Sequence, residues 1–167
     1  MQHTTLADEF SLRPATDADL GVVMRLIRSL ADFERLAHLC VATERDLADA
    51  LLGPRPAAEV VIAWHGAEAA GFALFFHNFS TFLGRRGLWL EDLYVEPAWR
   101  RRGCARALLR HLARIAGERN CGRFEWSVLD WNTEAIDFYQ SLGATVLPDW
   151  RIVRVVGPAL EALAGPR

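Results

Sequence analysis

Residues 88–120 read LWLEDLYVEPAWRRRGCARALLRHLARIAGERN, and this stretch decides the fold. Leu88 to Val95 are rich in aromatic and branched side chains and read as a strand. Glu96-Pro97 makes a turn, a run of arginines follows, and then comes Gly103. From there Ala105, Leu108, Leu109, Leu112, Ile115 and Ala116 recur at helical spacing, which carries a helix to about Asn120. A strand that turns through a basic, glycine-bearing loop into a helix aims unpaired backbone N–H groups at one spot. That is an anion site, and phosphate is the group it suits. Glu91 and Asp92 lie in the middle of the feeding strand. Simple alternation puts them on opposite faces, and a bulge would change that.

Working outward, residues 10–15 (FSLRPA) read as a short first strand ending at Pro14. Thr16 with Asp19, and Thr43 with Asp46, each resemble a capping box that opens a helix. Leu20, Val23, Met24, Ile27 and Leu30 stripe the first helix, and the second runs to Gly53. Glu59–Trp64 and Ala70–Phe76 form an antiparallel hairpin, and His77–Gly87 reads as a loop because Asn78, Ser80, Gly84 and Gly87 punctuate it. Arg123–Val128 is a further strand, and Asn132 caps a helix that stops at Gly143. Trp150–Val156 reads as a last strand and Pro158–Ala164 as a last short helix. The element order predicts one mixed α/β domain.

The chain has 167 residues, 51% of them apolar, which is enough for a core of its own. Net charge is −2, so no global field favours nucleic acid or an anionic membrane. Six arginines nevertheless fall between Arg100 and Arg114, which makes the positive charge a local feature. No run is long and apolar enough to span a bilayer, and MQHTTLADEF does not read as a secretion signal. Cys40, Cys104 and Cys121 lack pairing or metal spacing, and the five histidines never fall at ligand spacing. A reducing, cytoplasmic setting with no metal is the expectation.

Arg100-Arg101-Arg102-Gly103-Cys104-Ala105 matches R/Q-x-x-G-x-G/A, and Asn132, Phe138-Tyr139 and Leu142-Gly143-Ala144 match N-x-x-A-x-x-F-Y-x-x-x-G-A. In this order the two motifs resemble the signatures of the GNAT N-acetyltransferase superfamily. LRPAT (12–16), MRLIRSLADFE (24–34), TERDL (43–47), DWNTEAIDFYQSLGA (130–144) and DWR (149–151) look like its diamine (spermidine/spermine) and thialysine branch. The resemblance implies a single-domain GNAT fold, with its core at about 10–157. That fold is a mixed, mostly antiparallel sheet with a splayed central parallel pair and flanking helices. It also implies acetyl-coenzyme A as co-substrate, a small-molecule amine as acceptor and a homodimer.

Site roles follow from the resemblance and the chemistry together. Arg100, Arg101, Arg102, Gly103, Cys104, Ala105 and Arg106 would cradle the coenzyme's pyrophosphate, with Cys104 a small residue and not a nucleophile. The backbone of Leu93, Tyr94 and Val95 would pair with the pantetheine arm, and Asn132 would contact the coenzyme while capping its helix. A primary alkylamine, with a pKa of about 10.4, is mostly protonated at pH 7, so a base must take a proton; Glu91 is the leading candidate. Tyr139, by motif position, would protonate the departing thiolate. Phe33, Glu34, Asp92 and Trp126 would hold the acceptor, with Trp131 and Trp150 as further aromatic candidates. The branch carries an acidic residue in the loop where this chain has His77-Asn78-Phe79-Ser80. That departure leaves a shorter amine or a lysine analogue open. The alternatives are a protein or peptide N-acetyltransferase and a non-catalytic acyl-coenzyme A sensor.

Overall fold

The computed structural model describes residues 9–165, so most of MQHTTLADEF lies outside the described residues. Five strands form one sheet in the order β1-β2-β3-β4-β5: Ser11–Pro14, Glu59–His65, Glu68–Ser80, Arg85–Val95 and Phe124–Trp126. β1 to β4 pair antiparallel, and β4 and β5 pair parallel. The helices are α1 (Leu20–Phe33), α2 (Glu44–Leu52), α3 (Cys104–Glu118), α4 (Thr133–Ser141) and α5 (Pro158–Ala164). The chain divides into two compact units after Ser127, and the whole sheet lies in the first.

Local chemistry sets the helix ends. Asp19 accepts from the Thr16 N–H at 2.8 Å and from its hydroxyl at 2.7 Å, and Asp46 does the same for Thr43 at 2.9 and 2.7 Å. Arg13 grips Asp19 through both terminal nitrogens at 2.8 and 3.0 Å, and these bonds hold the Asp19 carboxyl well below the usual carboxylate range. Asn132 caps α4 by accepting from the Ala135 N–H, and Gly143 follows that helix with φ of 90°.

The sheet buries two faces. Val60, Ile62, Phe72 and Tyr94 pack with Val23, Met24, Leu26 and Leu30 of α1 and Leu47 of α2. Val61, Ala63, Ala73, Phe75, Leu88 and Leu90 alternate with them and face α3, whose Cys104, Leu108, Leu109 and Leu112 are buried. We call these the α1 face and the α3 face. Gly71 opposes Val95, where an added Cβ would sit 2.4 Å from the Tyr94 carbonyl oxygen; only glycine lets the strands close there.

Three expectations need correction. His77–Gly87 is not a loop. β3 continues to Ser80 and β4 begins at Arg85, because the ladder from His77↔Leu88 to Ser80↔Arg85 satisfies the backbone whatever the side chains are. The turn shrinks to 81–84, where the Ser80 hydroxyl accepts from the Leu83 N–H. Trp150–Val156 forms no strand, since a strand needs a laddered neighbour; Val153 is 88% exposed and Trp150 78%. The strand expected over 123–128 contracts to Phe124–Trp126, which limits its pairing with β4 to Leu88–Leu90.

Candidate active site

β4 carries a bulge at its functional centre. Leu74 opposes Asp92 but Phe75 opposes Leu90, so Glu91 is the extra residue. Alternation from Leu90 on the α3 face would send Asp92 back to that face. The bulge resets the count, and Asp92 lies with Leu74, Phe72 and Tyr94 on the α1 face. Glu91 is on that side too, because its Oε2 accepts from the Trp89 indole N–H at 2.9 Å and Trp89 pairs with Phe76. The expectation of opposite faces fails for this reason. Both carboxylates serve one surface.

Glu34 joins them from the C-cap of α1, where the next residue, Arg35, adopts φ of 61°. A left-handed non-glycine residue costs roughly 1–2 kcal/mol, and two closing bonds offset it here, Arg35 N–H to the Asp32 carbonyl at 3.0 Å and Leu36 N–H to the Ala31 carbonyl at 2.8 Å. Burial, then the charges of Glu91 and Glu34, push the Asp92 carboxyl up to about 6, and burial raises Glu34 as well. Glu91 itself is exposed. Three carboxylates therefore share a site short of positive charge, and an incoming ammonium would supply it.

A stability prediction follows. The Asp92 value rises from 3.8 to about 6, so the folded state binds the proton more tightly than the unfolded chain. Stability is full below pH 3.8, falls as pH rises to about 6, and stays at its lower level above. The linkage ceiling is about 3 kcal/mol at 1.36 kcal/mol per unit. Asp92→Asn keeps a buried polar amide, so the expected gain at pH 8 is about 1–2 kcal/mol, fading to nothing near pH 4. Thermal melts of both proteins at pH 4 and pH 8 check it; a variant less stable at pH 8 would contradict the cluster's repulsion.

The β5-side edge of β4 beyond Leu90 carries no ladder among the described residues, because β5 stops at Trp126. The backbone of Leu93, Tyr94 and Val95 is thus available on that side for an extended polar chain, although the Val95 carbonyl accepts from Arg100 Nε at 3.0 Å. The Tyr94 side chain is buried on the α1 face with its hydroxyl 3.4 Å from Glu96 Oε2. Trp126 pairs with Leu90, and Phe124, which pairs with Leu88, lies 5.0 Å from it; alternation turns both toward the α3 face.

The loop into α3 is shaped by two left-handed residues, Arg101 with φ of 59° and Gly103 with φ of 88°. Gly103 is the N-cap of α3 and contributes no side chain, and Ala107 is the first to bond back, to the Gly103 carbonyl at 2.9 Å. The N–H groups of Cys104 and Ala105 therefore lie in the turn before this first intrahelical bond, which is what a phosphate cradle requires. The arginines do more than face solvent. The Arg100 guanidinium lies over Phe33 at 4.8 Å and Tyr94 at 5.7 Å, tying the loop to the end of α1. Arg102 pairs with Glu9 and lies over Trp99 at 4.7 Å. Burial pushes the Cys104 thiol up to about 12, so it cannot act as a thiolate nucleophile near neutral pH.

The Acetyltransferase (GNAT) family model covers residues 25–144. The chain belongs to the GNAT acetyltransferase family. It is an N-acetyltransferase, and its relatives place it in the diamine and thialysine branch. An L-ornithine N5-acetyltransferase of Arabidopsis thaliana is 34% identical, over 91% of this chain and 86% of its own. A thialysine N-epsilon-acetyltransferase of Mus musculus is 35% identical, over 92% and 96%. Among solved structures, an integron cassette protein of V. cholerae superposes with a TM-score of 0.76 at 25% identity, over 95% and 99% of the two chains.

The GNAT match crosses the boundary between the two units, and the second signature lies in the C-terminal one. There Asn132 caps α4 and Tyr139 is half-buried on it, its ring 5.6 Å from that of Phe138. Trp131 is 50% exposed. In the first unit, a cavity of about 560 Å³ lined by Arg25, Trp64, Glu68, Glu96 and Trp99 includes none of the three carboxylates. Sequence reading missed Trp89, which orients Glu91, although its place two residues before Glu91 on a strand was a usable signal. Among the described residues, no helix is long and apolar enough to cross a membrane.

Proposed function

We propose that this GNAT enzyme transfers the acetyl group of acetyl-coenzyme A directly to a terminal primary amine of a small basic molecule, of the diamine or lysine-analogue type. The observation that carries the reading is the bulge at Glu91, which gathers Glu91, Asp92 and Glu34 on one face beside an unladdered strand edge. Acetyl-coenzyme A, when bound, supplies the activated thioester. The N–H groups at Cys104 and Ala105, in the first turn of α3, fit its pyrophosphate, and the β4 edge from Leu93 to Val95 fits its amide-bearing arm.

Asp92 and Glu34 draw the ammonium in and are stabilised by it, since each carries a raised pKa that a cation lowers again. Glu91, exposed and oriented by the Trp89 N–H, accepts the amine's proton directly or through one water. The neutral nitrogen then forms the new C–N bond as the C–S bond breaks, Tyr139 gives its proton to the departing sulfur, and the second proton that the new amide nitrogen sheds reprotonates the tyrosinate, directly or through solvent. Ornithine and thialysine, named for the two relatives, both have a primary amine at the end of a flexible chain.

The test is release of free thiol from acetyl-coenzyme A against a panel of ornithine, lysine, thialysine, putrescine, spermidine and a lysine-bearing peptide. Release with one or more small amines, and little with the peptide, is the expected result. A protein that consumes acetyl-coenzyme A only with the peptide, or with no amine at all, would sink the proposal.

A further inference from the structure

The α1 face of the sheet carries a second polar group, one step along β4 from the carboxylates. Asn78 opposes Gly87, and the Arg123 carbonyl accepts from the Leu88 N–H at 3.0 Å, which sets Arg123 on the far side of Gly87. An added Cβ at Gly87 would lie 2.2 Å from Asn78 Oδ1 and 3.0 Å from Arg123 Cγ. Glycine is therefore what lets these two side chains meet across β4. They converge on Glu125: Asn78 Nδ2 donates to Glu125 Oε2 at 3.3 Å, and Arg123 Nε lies 2.7 Å from the same oxygen. Glu125 opposes Trp89, whose indole N–H holds Glu91. One indole thus links the catalytic carboxylate to the Asn78–Glu125–Arg123 group.

The group has capacity to spare. The Arg123 and Glu125 side chains keep 37% and 29% of their exposure, so both charges can reach a ligand. Asn78 Oδ1 and Arg123 Nε are buried without a hydrogen bond, the Arg123–Glu125 contact being close but poorly aligned. Networks left short of partners in this way are expected to be completed by something else. The charges are also of both signs, whereas the Glu34–Glu91–Asp92 site is of one sign only.

We infer that Arg123 and Glu125, braced by Asn78 across Gly87, form a subsite that reads the α-amino-acid head of the acceptor, Arg123 taking its carboxylate and Glu125 its ammonium. The inference rests on the amine-acetyltransferase reading above and narrows it to basic amino acids. The spacing agrees. Two residues along a strand and one step across give about 8 Å between the Cα atoms of Glu91 and Glu125. An extended lysine-type chain spans roughly 6 Å from terminal nitrogen to α-carbon, and the side chains make up the remainder. A plain diamine brings no carboxylate to Arg123, only a second positive charge, and leaves Glu125 as the guanidinium's partner.

The experiment compares kcat/KM for L-lysine and L-ornithine with that for cadaverine and putrescine, the same chains without the carboxylate, in the wild type and in Arg123→Gln and Arg123→Lys. The wild type should favour each amino acid over its matched diamine by about tenfold or more, since only the amino acid brings a carboxylate for the guanidinium to bind through charge-assisted bonds. Arg123→Gln should collapse that ratio toward one, and Arg123→Lys should restore part of it. Thermal melts separate this from loss of folding, which lowers all four substrates together and leaves the ratio intact. Diamines accepted as well as amino acids by the wild type, or a ratio that survives Arg123→Gln in a folded protein, would overturn the subsite and leave the amine reading standing. No turnover of any of the four would overturn the subsite, and the amine reading falls with it only if thialysine and spermidine also go unacetylated.

Discussion

Glu91→Gln is expected to lower kcat/KM for the amine by about 100- to 1000-fold near pH 7, in the range that loss of a general base produces. The loss should depend steeply on pH. An alkylamine with a pKa near 10.4 is free base to about one part in a thousand at pH 7.4. With Glu91 gone, the rate follows that small fraction and climbs about tenfold per pH unit until the amine itself titrates. The wild type should reach its plateau much earlier, and its acid limb should fall where Asp92 takes a proton, near pH 6. Below that value Asp92 is neutral and the site loses one of the charges that hold the ammonium. Glu91→Gln also removes the neighbouring charge that raises Asp92, so the acid limb should shift downward. A profile from pH 5.5 to 10 separates these effects. If Glu91→Gln keeps wild-type activity throughout, proton removal belongs to another group, and Asp92 becomes the first candidate.

That profile depends on features the sequence shows unequally. The central strand, the R-x-x-G-x-A loop and α3 were legible because each rests on local signals: branched residues, a glycine at φ of 88°, an apolar stripe. Both capping boxes were equally plain, as was the Asn132 cap. The bulge at Glu91 was not, because a bulge is a mismatch of register between β4 and β3, and no local pattern records which residue of Leu90-Glu91-Asp92 goes unpaired. The raised Asp92 carboxyl needs the burial that follows from the bulge and Glu34 brought in by α1, so it was legible only as a suspicion about two adjacent acids. His77–Gly87 misled for the opposite reason. Its glycine and polar residues are turn signals, but Gly87 clears space for a crossing of side chains, and Asn78 is the residue that crosses. Trp150–Val156 has strand composition and no laddered neighbour, and composition alone does not make a strand.

Tyr139→Phe is the second large effect expected, a fall in kcat of about 100-fold with KM for acetyl-coenzyme A changed by less than about twofold. The substitution removes one hydroxyl and keeps the ring that lies 5.6 Å from Phe138, so α4 should keep its packing and its Asn132 cap. The argument for an acid is energetic. A free thiol has a pKa near 8.5 and a tyrosine near 10, so full proton transfer to the leaving sulfur is uphill by roughly 2 kcal/mol, a cost that C–S cleavage can carry. The same numbers supply a test that a structural role for Tyr139 would fail. An acetyl thioester of a more acidic thiol needs less help to depart, so the variant's defect should shrink with such a donor while the wild type gains little. A defect of equal size with both donors would mean that Tyr139 shapes the site instead of protonating the sulfur.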